Sequence, residues 1–562
     1  MFPRKTVLLL LFAIILVSII VRYPMVEHER FETDSYFVHI LSNGIVRDGQ
    51  AAWTFSPLSY LGYFPFSYPS GAPFVFAELS ILTGLNVDVC ILLVNDLFAV
   101  LFCLVAFCLS REFIYRAEFV LLASFLAAMG PRFIDTTYWD GSARGIETVL
   151  IALLVFVTFR ASVSRNNRLL VCSALIGFGC FAVHHMAVIV VLYGVAYVTA
   201  VLITTYLPGV FRTRMKRLGA FIAVSLVLAG VLVALNYFGT PGNSFESVGE
   251  SGFFEINNPI MAALVNLGVS YTHQVGPVLV LAFFGVLAFL GAPRLSIKAL
   301  FPLILLIALI PVLGSSIYVS MLVAPFAAIL GVRWTIKLSD SKRIRAKSFA
   351  VAVAVLMVLS LTVAVWSVER WNQLKHTTGD TVAVDNGVFN DATYLNVNGN
   401  GIFAMSNEEV LEGELCAYSN TRFLQSGPLA AINGDVTGND IRGNVTFSST
   451  PFPGNLYNWY TYKDELFVSR FTYYLMVAGV GALQNQPSSQ FGAYPASHSN
   501  LLVVLDNNWP NDYASVHGPY HAEFLKEVRD SQSSASGHNH FASYDIYTSQ
   551  RVTIYMVAFT LE

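Results

Sequence analysis

Apolar runs long enough to cross a bilayer, about 20 residues with tolerance for shorter ones, recur along the chain as far as Val368. They lie near 7–22, 89–109, 117–131, 146–160, 169–184, 186–206, 218–238, 276–292, 299–314, 316–332 and 348–368, and predict eleven transmembrane helices. The stretch 73–87, PFVFAELSILTGLNV, is apolar but short and interrupted, and predicts a re-entrant or interfacial helix. From Glu369 onward the pattern changes. Short runs such as TVAVDNGVF, NLLVVLD and RVTIYMVAF read as strands, and YHAEFLKEVRD reads as a helix. The expected fold class is a polytopic α-helical membrane protein with a C-terminal extracytoplasmic mixed α/β domain. Its division falls into a membrane region, 1–368, with a large first outer loop, 23–88, and an extracytoplasmic domain, 369–562.

Composition agrees with the pattern. Hydrophobic residues make up 55% of the 562 and charged residues 12%, where a soluble protein carries about 25% charged; the mean hydropathy is +0.59. The formal net charge of -3 gives nucleic acid no reason to be a partner. Five cysteines lie in apolar runs and only Cys416 in the polar C-terminal third, so that third has no pair for an internal disulfide. The first run follows Arg4 and Lys5 and is followed by VRYPMVEHE, with no small-x-small cleavage site, so it reads as a retained anchor.

Basic residues orient the helices. With a cytoplasmic N-terminus, the inner segments hold nineteen Lys and Arg, among them Lys342, Arg343, Arg345 and Lys347. The outer membrane loops hold five: Arg22, Arg30, Arg47, Arg132 and Arg144. This positive-inside bias places the C-terminal domain outside a multi-pass cell (plasma) membrane protein.

The carboxylates gather on the outer side. The first outer loop contains ETDSYFVH. The second contains GPRFIDTTYWDGSARGIE, with Asp135, Asp140 and Glu147, and a third outer segment holds Glu246, Glu250 and Glu255. Oxygen ligands from separate loops suit a hard divalent cation, Mn²⁺ or Mg²⁺, which can neutralise a phosphate leaving group. Acidic loops also simply face water, and Glu27 and Glu29 read as such a rim. Arg132 and Arg144 are phosphate-binding candidates because guanidinium grips phosphate bidentately; the competing role is an ion pair to Asp135 or Asp140. His39, His184 and His185 are weaker candidates, more readily structural. No GxxxxGKS loop, no strand-linked GxGxxG and no paired CxxC occurs, so the sequence offers no support for nucleotide hydrolysis or zinc-finger chemistry.

The order of these pieces resembles the catalytic subunit of oligosaccharyltransferase, a polytopic enzyme of the GT-C glycosyltransferase superfamily. Arg22-Tyr23 leads to Glu32-Thr33-Asp34-Ser35-Tyr36-Phe37, similar to that family's Arg-aromatic, spacer, Glu-x-Asp-x-aromatic-Phe pattern. SNGIVRDGQAAW and FPFSYPSGAP are similar to its amphipathic helix and YP turn, and Arg132, Asp140 and Glu147 to its second loop. Glu250 is the nearest match to its external Ser/Thr-x-Glu, with Glu255 as rival. The resemblance implies a glycosyltransferase that uses a polyprenyl or dolichyl phosphate-linked glycan donor in the membrane lipid and a protein or glycan acceptor. It implies Asp34, Asp140 and Glu147 as catalytic and metal-binding residues, and Arg132, Arg144, His39 and Glu250 as substrate-binding ones. The chain departs from the family in lacking a WWDYG motif, and Asp140 and Glu147 are seven apart where the family pair is tight. Two rival classes are a transporter or flippase of lipid-linked glycans, for which Asp96 is the one clear mid-helix acid, and a non-catalytic surface assembly protein. The sequence leaves the oligomeric state open.

Overall fold

The structure, a computed structural model, describes residues 3–24, 33–51, 54–55, 63–64, 69–206, 274–290, 296–313, 319–340, 346–377, 386–399, 403–406, 409–419, 421–423, 500–506, 541–550 and 552–559. They fall into two compact units. One comprises Met1–Pro24 and Leu92–Gln373; the other comprises Met25–Ile91 and Leu374–Glu562.

The first unit is a helical bundle. Its helices are α1 (Arg4–Val21), most of α4 (Val87–Phe113), α5 (Ala117–Ala128), the short α6 (Pro131–Asp135), α7 (Ala143–Ser164), α8 (Asn167–Val183), α9 (Ile189–Tyr206), α10 (Val278–Leu290), α11 (Ile297–Leu313), α12 (Val319–Asp340) and α13 (Ala346–Thr377). (α2, Thr33–Asp48, and α3, Gly71–Thr83, belong to the second unit.) Among the described residues six helices are long and apolar enough to cross a membrane: Arg4–Val21, Val87–Phe113, Ala143–Ser164, Ile189–Tyr206, Ser320–Asp340 and Lys347–Val368. The expected span 218–238 lies outside the described residues.

The helix faces follow the solvent a membrane provides. On α1, Leu11, Ile14 and Ser18 are buried, at helical spacing that Arg22 continues, while Leu9, Phe12, Leu16 and Ile20 stand exposed. Exposed apolar side chains also cover α8, α9 and α13, a surface that water would penalise and lipid does not. α5 is buried over Phe119–Ala128. Backbones meet closely where α10 crosses α12: a Cβ on Gly285 would press on the backbone carbonyl of Leu330, and one on Gly331 would lie 2.7 Å from Leu281 Cβ. Small residues at such crossings replace the hydrophobic drive that lipid removes.

The second unit contains a five-stranded mixed sheet. Its strands are β3 (Phe403–Ser406), β4 (Arg422–Phe423), β5 (Asn500–Asp506), β6 (Phe541–Thr548) and β7 (Val552–Phe559), in the order β4-β3-β5-β7-β6. β3 runs parallel to β4 and β5, whereas β5–β7 and β6–β7 are antiparallel. NLLVVLD forms the central strand, its Leu502–Leu505 buried as the continuous apolar run requires. Helices α14 (Asn386–Asn398) and α15 (Glu409–Tyr418) supply Val388, Ala392, Leu395, Leu411 and Leu415 to the same core. TVAVDNGVF was expected to be a strand, yet its end is helical from Asn386. Apolar positions Val388, Ala392 and Leu395 recur at three- and four-residue spacing, and burying that stripe decides for helix.

The first outer loop contributes helix α2 (Thr33–Asp48), the ribbon β1 (Thr54–Phe55) and β2 (Tyr63–Phe64), and helix α3 (Gly71–Thr83). α2 starts well before SNGIVRDGQAAW, where a helix was expected, and runs through ETDSYFVH, read as loop. Tyr36 is fully buried in the sheet domain's core, and its hydroxyl donates to Glu414 Oε1 at 3.2 Å. Asn43 Nδ2 donates to the Ala417 carbonyl at 2.6 Å.

Candidate functional site

The sequence-derived candidates divide between the two units. In the second, Asp34 stands in the first turn of α2; its side chain lies outside what the structure describes. His39, five residues on, is buried, with its ring edge-on to Tyr418 at 5.2 Å between centroids. That is a packing position within the α2–α15 contact. Glu250, Glu246 and Glu255 lie outside the described residues.

In the first unit the second outer loop is the richest polar feature, and it is buried almost throughout. Pro131 opens α6 at its first helical position, where a missing N–H costs nothing. Arg132 Nη1 lies 3.8 Å from Asp135 Oδ2, both side chains nearly covered, which realises the ion pair weighed for Arg132. Asp135 also accepts from the Ser367 hydroxyl of α13, at 2.8 Å to Oδ1 and 3.0 Å to Oδ2. Tyr138 and Trp139 are buried. Trp139 has φ 58°, a left-handed conformation unusual for a bulky residue and typical of positions held by function.

Asp140 follows immediately. Its Oδ1 accepts from Ser142 N at 3.0 Å, and its carbonyl accepts from Asn95 Nδ2 of α4 at 2.8 Å. Ser142 then caps α7, its hydroxyl accepting from Arg144 N. Asp140 therefore helps shape the turn that starts α7. Glu147 lies beyond it, inside α7, 1% exposed, and neither carboxylate oxygen has a hydrogen-bond partner among the described residues. Its surroundings include Cys180 of α8, close enough for an electrostatic effect. Buried ionisable groups within membrane helices are rare and typically functional. His184 instead joins α8 to a 3-10 turn, its Nδ1 accepting from Met186 N at 3.1 Å.

Sequence reasoning passed over Arg22. This side chain is wholly buried. Its Nε donates to Thr137 Oγ1 at 2.7 Å and its Nη1 to Ser18 Oγ at 2.7 Å and the Ser18 carbonyl at 3.0 Å. The guanidinium lies 5.0 Å from the centroid of Phe133. Only its place in the Arg-aromatic pattern hinted at this.

Among the described residues no three His, Cys, Asp or Glu side chains come together as a metal centre. The side chains of Asp34 and Glu250 fall outside that set. Glu147, whose two oxygens meet no donor among the described residues, is of the ligand type that a hard divalent cation takes.

No family model and no curated protein matches the chain. Solved structures do. An oligosaccharyltransferase from Archaeoglobus fulgidus, tethered with an acceptor peptide containing the NVT sequon, superposes with a TM-score of 0.55 at 12% identity, over 99% of this chain and 74% of that one. The same enzyme in complex with Zn and sulfate gives 0.54 at 12% identity, over 97% and 72%. ArnT from Cupriavidus metallidurans, bound to undecaprenyl phosphate, gives 0.51 at 13% identity, over 99% and 98%. The likeness is one of fold: this chain shares the overall fold of the Archaeoglobus fulgidus oligosaccharyltransferase and Cupriavidus metallidurans ArnT structures.

Proposed function

We propose that the chain is a membrane glycosyltransferase that moves a sugar or oligosaccharide from a polyprenyl or dolichyl phosphate-linked donor to an acceptor on the extracytoplasmic side. The observation that carries this reading is whole-length similarity to structures of two kinds, one holding undecaprenyl phosphate and the other an acceptor peptide. The Glu32-Thr33-Asp34 motif, whose Thr33 and Asp34 stand in the first turn of α2, supports it.

In the proposed reaction an acceptor nucleophile forms a bond to the anomeric carbon while that carbon's bond to the phosphate oxygen breaks. The electron pair leaves on the carrier phosphate, and the acceptor's proton passes to Asp34 as base. Asp140 and Glu147 complete the catalytic set. Asp34, Asp140 and Glu147 are the candidate ligands for a divalent cation, which would offset the charge building on the leaving phosphate. Arg132 and Arg144 favour that phosphate end, and Glu250 the acceptor end. With no WWDYG motif in the chain, the acceptor is a protein side chain read without a strict sequon, a lipid or another glycan.

The orientation expected from the basic residues, N-terminus in the cytoplasm and sheet domain outside, puts Asp34 on the face where a flipped donor waits. Purified protein in vesicles containing a polyprenyl phosphate-linked glycan, supplied with peptide and glycan acceptors, should liberate the carrier and yield glycosylated product. Failure to release glycan from any lipid-linked donor overturns the proposal.

A further inference from the structure

The second outer loop is tied down by buried side chains from three helices far apart in sequence. Asn95 of α4 holds the Asp140 carbonyl, Ser367 of α13 holds Asp135, and Arg22, the cap residue of α1, holds Thr137. The Arg22 tie is the most constrained. Thr137 Oγ1 accepts from Arg22 Nε and donates to the Phe133 carbonyl at 2.6 Å, and the Phe133 ring lies under the guanidinium. Arg22 thus grips both ends of the 133–137 turn. On the other side of that turn, a Cβ added to Gly145 of α7 would stand 2.7 Å from Thr137 Cγ2. Thr137 is clamped between Arg22 and the first turn of α7, and the left-handed Trp139 and Asp140 follow within three residues.

A plain helix-capping role covers part of this. Arg22 Nη1 returns to Ser18 of its own helix, as basic residues do at C-termini. Capping does not call for the Nε bond across 115 residues to Thr137, nor for complete burial at the cost of desolvating a cation. The carboxylates of Asp96 and Asp135 lie within its electrostatic reach and offset only part of that cost. A strained backbone persists only where its surroundings over-determine it, and these ties are what over-determines the Trp139–Asp140 turn.

We infer that Arg22 is a positioning residue, which acts through Thr137 to hold the Trp139–Asp140 turn in the geometry that transfer requires. The inference rests on the glycosyltransferase reading for its consequence but not for its geometry.

The test compares Arg22→Lys, Thr137→Val, their double variant and Ser18→Ala in the full chain, with two readouts. In the transfer assay, Arg22→Lys and Thr137→Val should each lower kcat on the order of a hundredfold, the effect of a misplacement of about 1 Å. KM for the lipid-linked donor should stay unchanged. The double variant should lose no more than either single one, because the two act in series. Ser18→Ala, which removes the capping partner and leaves the Arg22–Thr137 bond in place, should keep kcat within about twofold. In hydrogen exchange, peptides spanning 133–142 should exchange faster in Thr137→Val and at the wild-type rate in Ser18→Ala. Equal kcat losses in Ser18→Ala and Thr137→Val, additive losses in the double variant, or unchanged exchange in Thr137→Val would each overturn the inference. Wild-type protein that transfers nothing defeats the functional reading instead, and exchange alone then decides the positioning.

Discussion

Replacing Tyr36 with Ala should unfold the sheet domain, although Tyr36 lies more than three hundred residues earlier than that domain's strands. Its side chain is fully buried among Val388, Leu395, Leu411, Leu502 and Ile554, and the Gly413 backbone is close enough that a Cβ there would meet the ring at 3.4 Å. Truncating a large buried aromatic costs about 3–5 kcal/mol. The hydroxyl bond to the buried Glu414 adds about 1–3 kcal/mol when its donor is lost, so Tyr36→Phe should fall in that lower range. At about 1.4 kcal/mol per factor of ten, the Ala variant should raise the opening equilibrium of this unit by at least about a thousandfold. Hydrogen exchange reads this directly, since core amides exchange through such opening. Amides of β5 and α15 should speed up in the order Tyr36→Ala, Tyr36→Phe, wild type, with exposed Val397→Ala within about 0.5 kcal/mol of wild type. Acceleration confined to α2, with β5 unaffected, would refute the claim that the first outer loop is part of this core.

Three further outcomes follow from the same structure. Gly285→Ala should lower the thermal stability of the detergent-extracted protein by about 1–3 kcal/mol, because its Cβ meets the Leu330 carbonyl backbone; an unchanged Tm would show that α10 and α12 do not cross so closely. Cysteines placed at Ser56 and Ser448 should react with a membrane-impermeant reagent applied to intact cells and one at Ser341 should not, and labelling at Ser341 would reverse the topology. Burial, then the hydrogen bond to Asp391, pushes the Tyr547 phenol up to about 12. Its raised pKa favours the neutral form in the folded state, so the stabilisation is complete below about pH 10 and is lost as pH climbs toward 12. The stability gap between wild type and Tyr547→Phe should therefore narrow above pH 10, and a constant gap from pH 8 to 11 would count against the Asp391 contact.

Much of this architecture was legible in the chain because bilayer thickness imposes a length on every spanning helix. The runs at 89–109 and 348–368 return as α4 and α13, each extended at its ends by polar residues that hydropathy does not count. NLLVVLD and RVTIYMVAF return as β5 and β7. The first outer loop was harder to read. α2 buries Tyr36 and His39 as well as Val38, Leu41 and Ile45, so no single apolar stripe marks it as a helix. The second loop was legible as chemistry but not as structure. Asp135, Asp140 and Glu147 stood out as acids, whereas their different surroundings depend on Ser367, Asn95 and Cys180, partners from other helices that no local spacing reveals. Arg22 was hidden for the same reason, its partner lying 115 residues away.

Carboxylate-dependent transfer from a lipid-linked donor, as proposed, turns on Asp34. Asp34→Asn keeps the size of the side chain and removes the charge that a hard cation or a departing proton needs. Losing one such contact at a reacting centre costs about 3 kcal/mol or more, a hundredfold in rate. Measured with one polyprenyl phosphate-linked glycan donor, Asp34→Asn should insert and fold as wild type yet lose nearly all transfer, while Glu27→Gln and Glu29→Gln remain close to wild type. Equal transfer by all three variants would contradict the account and leave the acidic stretch a solvated rim.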